Sequence, residues 1–188
     1  MKILLKVILA LALLWGTLSV WVELPGSEIE LRIRQELDKR ALIVYDPDPI
    51  YNLDWQVCKS FAEGLDREEW GIDILSVSAA VRQDPYEYDL YVFCTNTYNW
   101  EPDWILRSFM ENMDGLKGEK VVALTVGSGS TSRARRIMET ILLEKEVELL
   151  ASEEYWLMRP NDEQRKKESN ILLAADMARK LAAELPLE

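Results

Sequence analysis

The sequence predicts an α/β domain: a three-layer α-β-α sandwich on a five-stranded parallel sheet, preceded by an N-terminal membrane helix. Three observations predict it. Five short apolar runs recur along the chain, segments with helical apolar spacing separate them, and the chain opens on one long uncharged apolar stretch. Strands buried on both faces read as continuous apolar runs. Their alternation with helices gives a parallel sheet with helices on both faces, and right-handed crossovers leave few topologies.

The opening stretch comes first. Lys2 and Lys6 precede residues 7–22, which carry no charge. That run is about 24 Å long as a helix, and about 30 Å if it starts at residue 3 with Lys6 snorkelling, enough for a bilayer core. Trp21 sits where an interfacial aromatic belongs. Three readings fit: a retained anchor, a cleaved signal peptide and a soluble helix. The apolar core is slightly long for a signal, the small-residue site near residues 17–19 is weak, and no polar face is present. The reading adopted is a transmembrane anchor or signal segment over 1–26, giving a single-pass membrane protein, or an exported one if the segment is cleaved. Lys2 and Lys6 favour a cytoplasmic N-terminus, but Arg32, Arg34, Lys39 and Arg40 follow the other end, so the positive-inside count is near a tie.

Leu24, Pro25 and Gly26 break the helix. Ser27 and Glu30 have capping-box spacing, which predicts a stalk helix over 27–40, although Ile29, Leu31 and Ile33 also alternate like a strand. The globular domain occupies 41–188. Its strands are expected at 41–45, 72–77, 90–94, 121–126 and 146–151, its helices at 53–65, 104–113, 133–143 and 171–185. In such a sheet ligands bind beyond the carboxyl ends of the strands, at the switch point. That rule selects three loops: 46–52, 95–103 and 127–132.

Composition excludes several functions. The chain has 188 residues, 48% hydrophobic and 29% charged, which is one domain's worth. With 22 Lys+Arg against 33 Asp+Glu its net charge is -11, which repels a phosphate backbone and argues against nucleic-acid binding. The absence of histidine removes Ser-His-Asp and Cys-His catalysis and the commonest zinc ligand. Two cysteines, Cys58 and Cys94, make no disulfide framework. Both read as small buried hydrophobes.

Two motifs then carry a resemblance. YDLYVFCTNTY (88–98) is similar to the third strand and second flavin loop of flavodoxin-like proteins, and LKGEKVVAL (116–124), leading to Gly127, resembles the approach to their third loop. With the order of elements, the resemblance covers roughly 41–185. It implies a sheet ordered 2-1-3-4-5 and, usually, FMN used in electron transfer with a redox partner. The flavin-contacting positions it implies here are Thr95, Asn96, Thr97, Tyr98, Asn99 and Trp100 in the second loop, and Gly127, Ser128 and Gly129 in the third. Tyr98 and Trp100 either stack on the ring or cover the sheet edge.

The chain also departs from the family. Its first loop holds Asp46, Pro47, Asp48, Pro49 and, just beyond, Asp54, where the family has Ser, Thr and Gly. Proline has no N–H to donate, and carboxylates repel a phosphate by about 1 to 4 kcal/mol each at about 4 Å. Asn96 stands where the family has Pro. The three aspartates have the chemistry of a hard-cation site but not the EF-hand spacing. At 127–132 a Gly/Ser-rich turn opens a helix beginning Arg133, Ala134, Arg135, Arg136, either an anion site or a turn whose arginines pair with surface acids. Two functions follow: a membrane-anchored FMN protein in electron transfer, or a flavodoxin-fold binding module that has lost the flavin because of its Asp/Pro loop.

Overall fold

Four of the predicted apolar runs form the centre of the sheet in the computed structural model, which describes residues 2–66, 70–83 and 88–187. Helix α1 (Lys2–Val22) comes first. Then follow β1 (Glu30–Ile33), β2 (Arg40–Tyr45), α2 (Leu53–Asp66), β3 (Gly71–Ser76) and the short α3 (Val77–Ala80). The chain continues through β4 (Leu90–Tyr98), β5 (Glu101–Pro102), α4 (Trp104–Asn112) and β6 (Lys120–Gly127). It closes with α5 (Ser132–Glu144), β7 (Glu148–Trp156) and α6 (Asn170–Glu184).

The sheet runs β1-β3-β2-β4-β6-β7, with β5 paired to β4. Pairs β2/β3, β2/β4, β4/β6 and β6/β7 are parallel. These five strands, taken in chain order, have the arrangement 2-1-3-4-5. The sheet therefore extends the expected five strands by two short antiparallel ones, β1 and β5.

Helices cover both faces. Ile43, Ile74, Val92 and Leu124 pack against Val57, Phe61, Leu65 and Ala178, from α2 and α6. Leu42, Val44, Phe93 and Ala123 pack against Leu106, Met110, Met138 and Leu142, from α4 and α5. Alternate residues of each central strand feed opposite cores, as the pleat requires. The close contact of α2 with α6 depends on Gly64: a Cβ there would lie 2.7 Å from Ala182 Cβ and against the Arg179 carbonyl.

Residues 27–40 correct the sequence reading: the segment holds strand β1, not a stalk helix. The Ile29 N–H donates to Ser76 Oγ at 2.9 Å, and Glu30 to Ile33 pair antiparallel with Leu75 to Ile72. Ile29, Leu31 and Ile33 pack against the α2/α6 core. The alternating pattern outweighed the capping box because β3 offered an unpaired edge. The last strand, expected at 146–151, runs from Glu148 to Trp156. Glu153 and Glu154 interrupt its apolar pattern because it is an edge strand with one face partly in solvent.

Helix α1 is 21 residues long, about 31 Å. Its mean hydropathy reaches 2.3 and none of that stretch is buried, so it is long and apolar enough to cross a membrane.

Candidate functional site at the carboxyl edge of the sheet

The switch point lies between β2 and β4, and all three loops selected from sequence converge beyond it. The first loop leaves β2 at Tyr45, the second ends β4 at Tyr98, and the third ends β6 at Gly127. They line a small pocket with Asp48, Tyr51, Asn96, Thr97, Tyr98, Gly127 and Ser128, closed on one side by Val22 of α1.

The first loop is bonded to itself. Asp48 Oδ1 accepts the N–H groups of Ile50 at 2.6 Å and Tyr51 at 2.7 Å. Asp54 accepts the N–H of Asp48 at 2.8 Å and of Trp55 at 2.7 Å. These amides include the start of α2, where a bound anion would be expected. Two carboxylates of the chain hold that place instead.

The second loop closes on the first. Asn96 Nδ2 donates to the Asp46 carbonyl at 2.9 Å and to Asp54 Oδ2 at 3.1 Å. The Tyr98 hydroxyl donates to Asp48 Oδ2 at 2.7 Å. Burial and that carboxylate raise the Tyr98 pKa well above the phenol range. Thr95 is fully buried, its hydroxyl donating to Asp103 Oδ2 at 2.8 Å. Of the residues expected to contact a flavin, Thr95 and Asn96 thus serve the loop itself. Thr97 Oγ1 is the polar atom of this loop that is buried without a partner among the described residues.

Asn99 and Trp100 form the tip of a tight hairpin, with β5 returning so that Thr97 faces Pro102 and Tyr98 faces Glu101. Both tip residues are left-handed, with φ of 49° and 65°. Two successive positive φ values are the signature of a type I′ turn. Asn tolerates this conformation; a bulky aromatic does so rarely.

The third loop meets the second closely. A Cβ on Gly127 would lie 2.8 Å from Thr131 Cγ2 and 3.0 Å from Thr97 Cβ, so glycine is required there. Ser128 accepts the Met158 N–H through its carbonyl at 2.9 Å. Glu154 receives hydrogen bonds from the hydroxyls of Thr131 and Ser132, and Arg135 lies 3.5 Å from it. Arg133 pairs with Glu101 at 2.5 Å. These acids supply the negative partners that arginines in a first helical turn need.

The same device recurs at α4. Asp103 caps it, accepting the Leu106 N–H at 2.8 Å. Glu23, the residue directly after α1, accepts the Trp104 N–H at 2.7 Å. Gly26 donates its N–H to Asp46 at 3.0 Å. Helices α2, α4 and α5, which start at this edge, therefore each have a carboxylate of the chain bonded at or beside their N-terminus.

These acids are buried, and burial sets their titration. It raises Asp103 to about 7, with repulsion from Asp46 and Glu23 adding to the shift, and Asp46 to about 6, with repulsion from Asp54 adding to it. Burial also raises Asp54 and Glu23. Among the described residues no group of three or more acidic, histidine or cysteine side chains is placed to hold a metal ion. Cys58 and Cys94 are both buried thiols. Contact with Cys58 and burial push the Cys94 thiol well up, the reverse of a reactive cysteine.

FMN, implied by the resemblance, does not fit the first loop. Its phosphate would need amides that Asp48 and Asp54 already occupy, and it would meet their charge. The pocket beside Tyr98 holds about 140 Å³, below the roughly 300 Å³ at which small-molecule sites begin. A neighbouring cleft of about 280 Å³ lies between Trp15, Thr97, Asn99, Trp100 and residues 128–130.

Sequence reasoning did not find Glu23, Asp103 or Glu154. Glu23 directly follows the apolar helix, Asp103 sits three positions before Leu106 at N-cap spacing, and Glu154 lies in a strand whose length was underestimated. Only Asp103 had a local signal.

No protein-family model and no curated protein matches the chain. Solved structures do. A flavodoxin from the domain Archaea aligns over 76% of this chain and 98% of its own, with 14% identity and a TM-score of 0.56. An apo NADH:FMN oxidoreductase aligns over 80% of this chain and 91% of its own, at 14% identity and a TM-score of 0.58. A flavodiiron core from Synechocystis aligns over 80% of this chain and 36% of its own, at 10% identity and a TM-score of 0.60. The fold is flavodoxin-like.

Proposed function

We propose that this chain is a membrane-anchored flavodoxin-fold binding module whose carboxyl edge no longer takes the FMN phosphate. The observation that carries this reading is the first loop, where Asp48 and Asp54 accept four backbone N–H groups. The length and apolarity of α1 support a single-pass anchor. The module acts at the membrane surface, through a partner that reads the edge rather than through a resident cofactor. The test is the absorption spectrum of the purified full chain, followed by FMN titration read by flavin fluorescence. A colourless protein that leaves FMN fluorescence unchanged supports the reading; a yellow protein or saturable micromolar quenching overturns it.

One observation favours a second reading, electron transfer through a flavin held by its ring alone. The cleft beside Trp100 is bordered by Thr97, Ser128 and Gly129, and the neighbours include an NADH:FMN oxidoreductase. On that reading Trp100→Ala releases the flavin, and the phosphate contributes nothing to its affinity.

A further inference from the structure

We propose that the carboxyl edge of the sheet is seated on the same bilayer that α1 enters, with the loop tips after β2, β4 and β7 at headgroup depth. The proposal names the partner of the edge, and it rests on the reading of α1 as an anchor.

The end of α1 is fastened to this edge. Glu23 holds the Trp104 amide, and Gly26 donates to Asp46. Val22 closes the pocket beside Tyr98, and Trp15 borders the cleft beside Trp100. The loop tips therefore lie alongside the last two turns of α1, where a spanning helix leaves the hydrocarbon for the headgroups.

The edge also carries the side chains that such a position favours. Among the described residues of the domain, Ile50, Tyr51, Trp100, Trp104 and Met158 are large, apolar and exposed, and all lie in loops or helix starts at this edge. The other exposed large apolar residues of the domain, Val81, Leu143, Leu149 and Leu172, include no aromatic. Trp and Tyr are the residues enriched at membrane interfaces, where a ring is half in lipid and half in water. Trp100 is 57% exposed although its backbone is left-handed. A strained position that displays a large ring to solvent points to a surface that uses the ring.

Charge does not oppose the seating. Asp46, Asp54, Asp103 and Glu23 are buried, with their oxygens turned to backbone amides and side chains of the edge itself. The charge of these four groups is therefore turned into the protein rather than towards the lipid.

The test is depth-dependent quenching of a fluorophore on the full chain in phosphatidylcholine vesicles. Cys58 and Cys94 are inaccessible in the folded protein, so an environment-sensitive thiol dye reports only introduced sites. Ile50→Cys and Trp100→Cys are compared with Leu143→Cys at the far end of α5, and with Trp21→Cys as a marker of the anchor. Dyes at 50 and 100 are expected to be quenched severalfold more than the dye at 143 by a nitroxide lipid labelled near its headgroup. Quenching at 21 with 50 and 100 matching 143 overturns the proposal and leaves the anchor reading standing. No quenching at 21 removes the anchor, and the proposal falls with it.

Discussion

Asp103 makes the domain less stable as pH rises, and Asp103→Asn removes that dependence. The carboxyl is 1% exposed and its pKa is raised by burial to about 7. An unfolded aspartate titrates near 3.9. Between these values the folded state binds the proton that the unfolded state has released, so stability falls with rising pH. The stabilising effect of protonation is complete below the unfolded value and lost as pH passes about 7. The span of roughly three pKa units corresponds to about 4 kcal/mol, at about 1.4 kcal/mol per unit. Asp46, raised to about 6, shifts in the same direction, and the two repel each other, so their effects do not add. Asn keeps a cap oxygen for the Leu106 amide but has no proton to lose. Thermal unfolding of the full chain in neutral detergent is measured at pH 5 and pH 8. Wild type is expected to lose about 3 kcal/mol more than Asp103→Asn across that interval, from the two units between pH 5 and the folded value of about 7. Parallel curves for the two proteins refute the assignment.

Three further substitutions follow from the same structure. Tyr45→Phe removes a hydroxyl that is fully buried without a partner among the described residues; it is expected to raise stability by about 1 kcal/mol in denaturant unfolding. Gly64→Ala drives a methyl group into α6 and is expected to cost about 1–3 kcal/mol, read as a lowered unfolding midpoint. Trp100→Gly relieves a left-handed residue at the hairpin tip and is expected to raise the unfolding midpoint by about 1 kcal/mol equivalent, while weakening quenching by headgroup-labelled lipid.

The central sheet was legible because its strands are buried on both faces. Residues 41–45, 90–94 and 121–126 are wholly buried, and burial on both sides leaves an unbroken apolar run. The edges were not legible for the converse reason. In β1, Glu30 and Arg32 face solvent while Leu31 and Ile33 are half-buried, so a four-residue strand resembles a helix start until its partner β3 is known. In β5 the hairpin turns on Asn99 and Trp100 without a glycine, and the turn has no strong local signature.

The site was legible in part. The switch-point rule selected loops 46–52, 95–103 and 127–132, and the poverty of amide donors in the first could be read from Pro47 and Pro49. The bonding could not. Tyr98 meets Asp48 across fifty residues, and Glu23 meets Trp104 across eighty-one. Such pairs are set by topology, which brings β2, β4 and the end of α1 to one edge. The positions that resemble a flavin loop accordingly hold the chain's own carboxylates.

The measurement that tests the central claim most directly compares FMN with riboflavin, which differ only by the phosphate. Both are titrated against the full chain by calorimetry or flavin fluorescence. The account predicts that FMN gains nothing over riboflavin, because Asp48 and Asp54 already occupy the amides of the first loop. Binding of FMN tenfold or more tighter than riboflavin, about 1.4 kcal/mol or above, would contradict it.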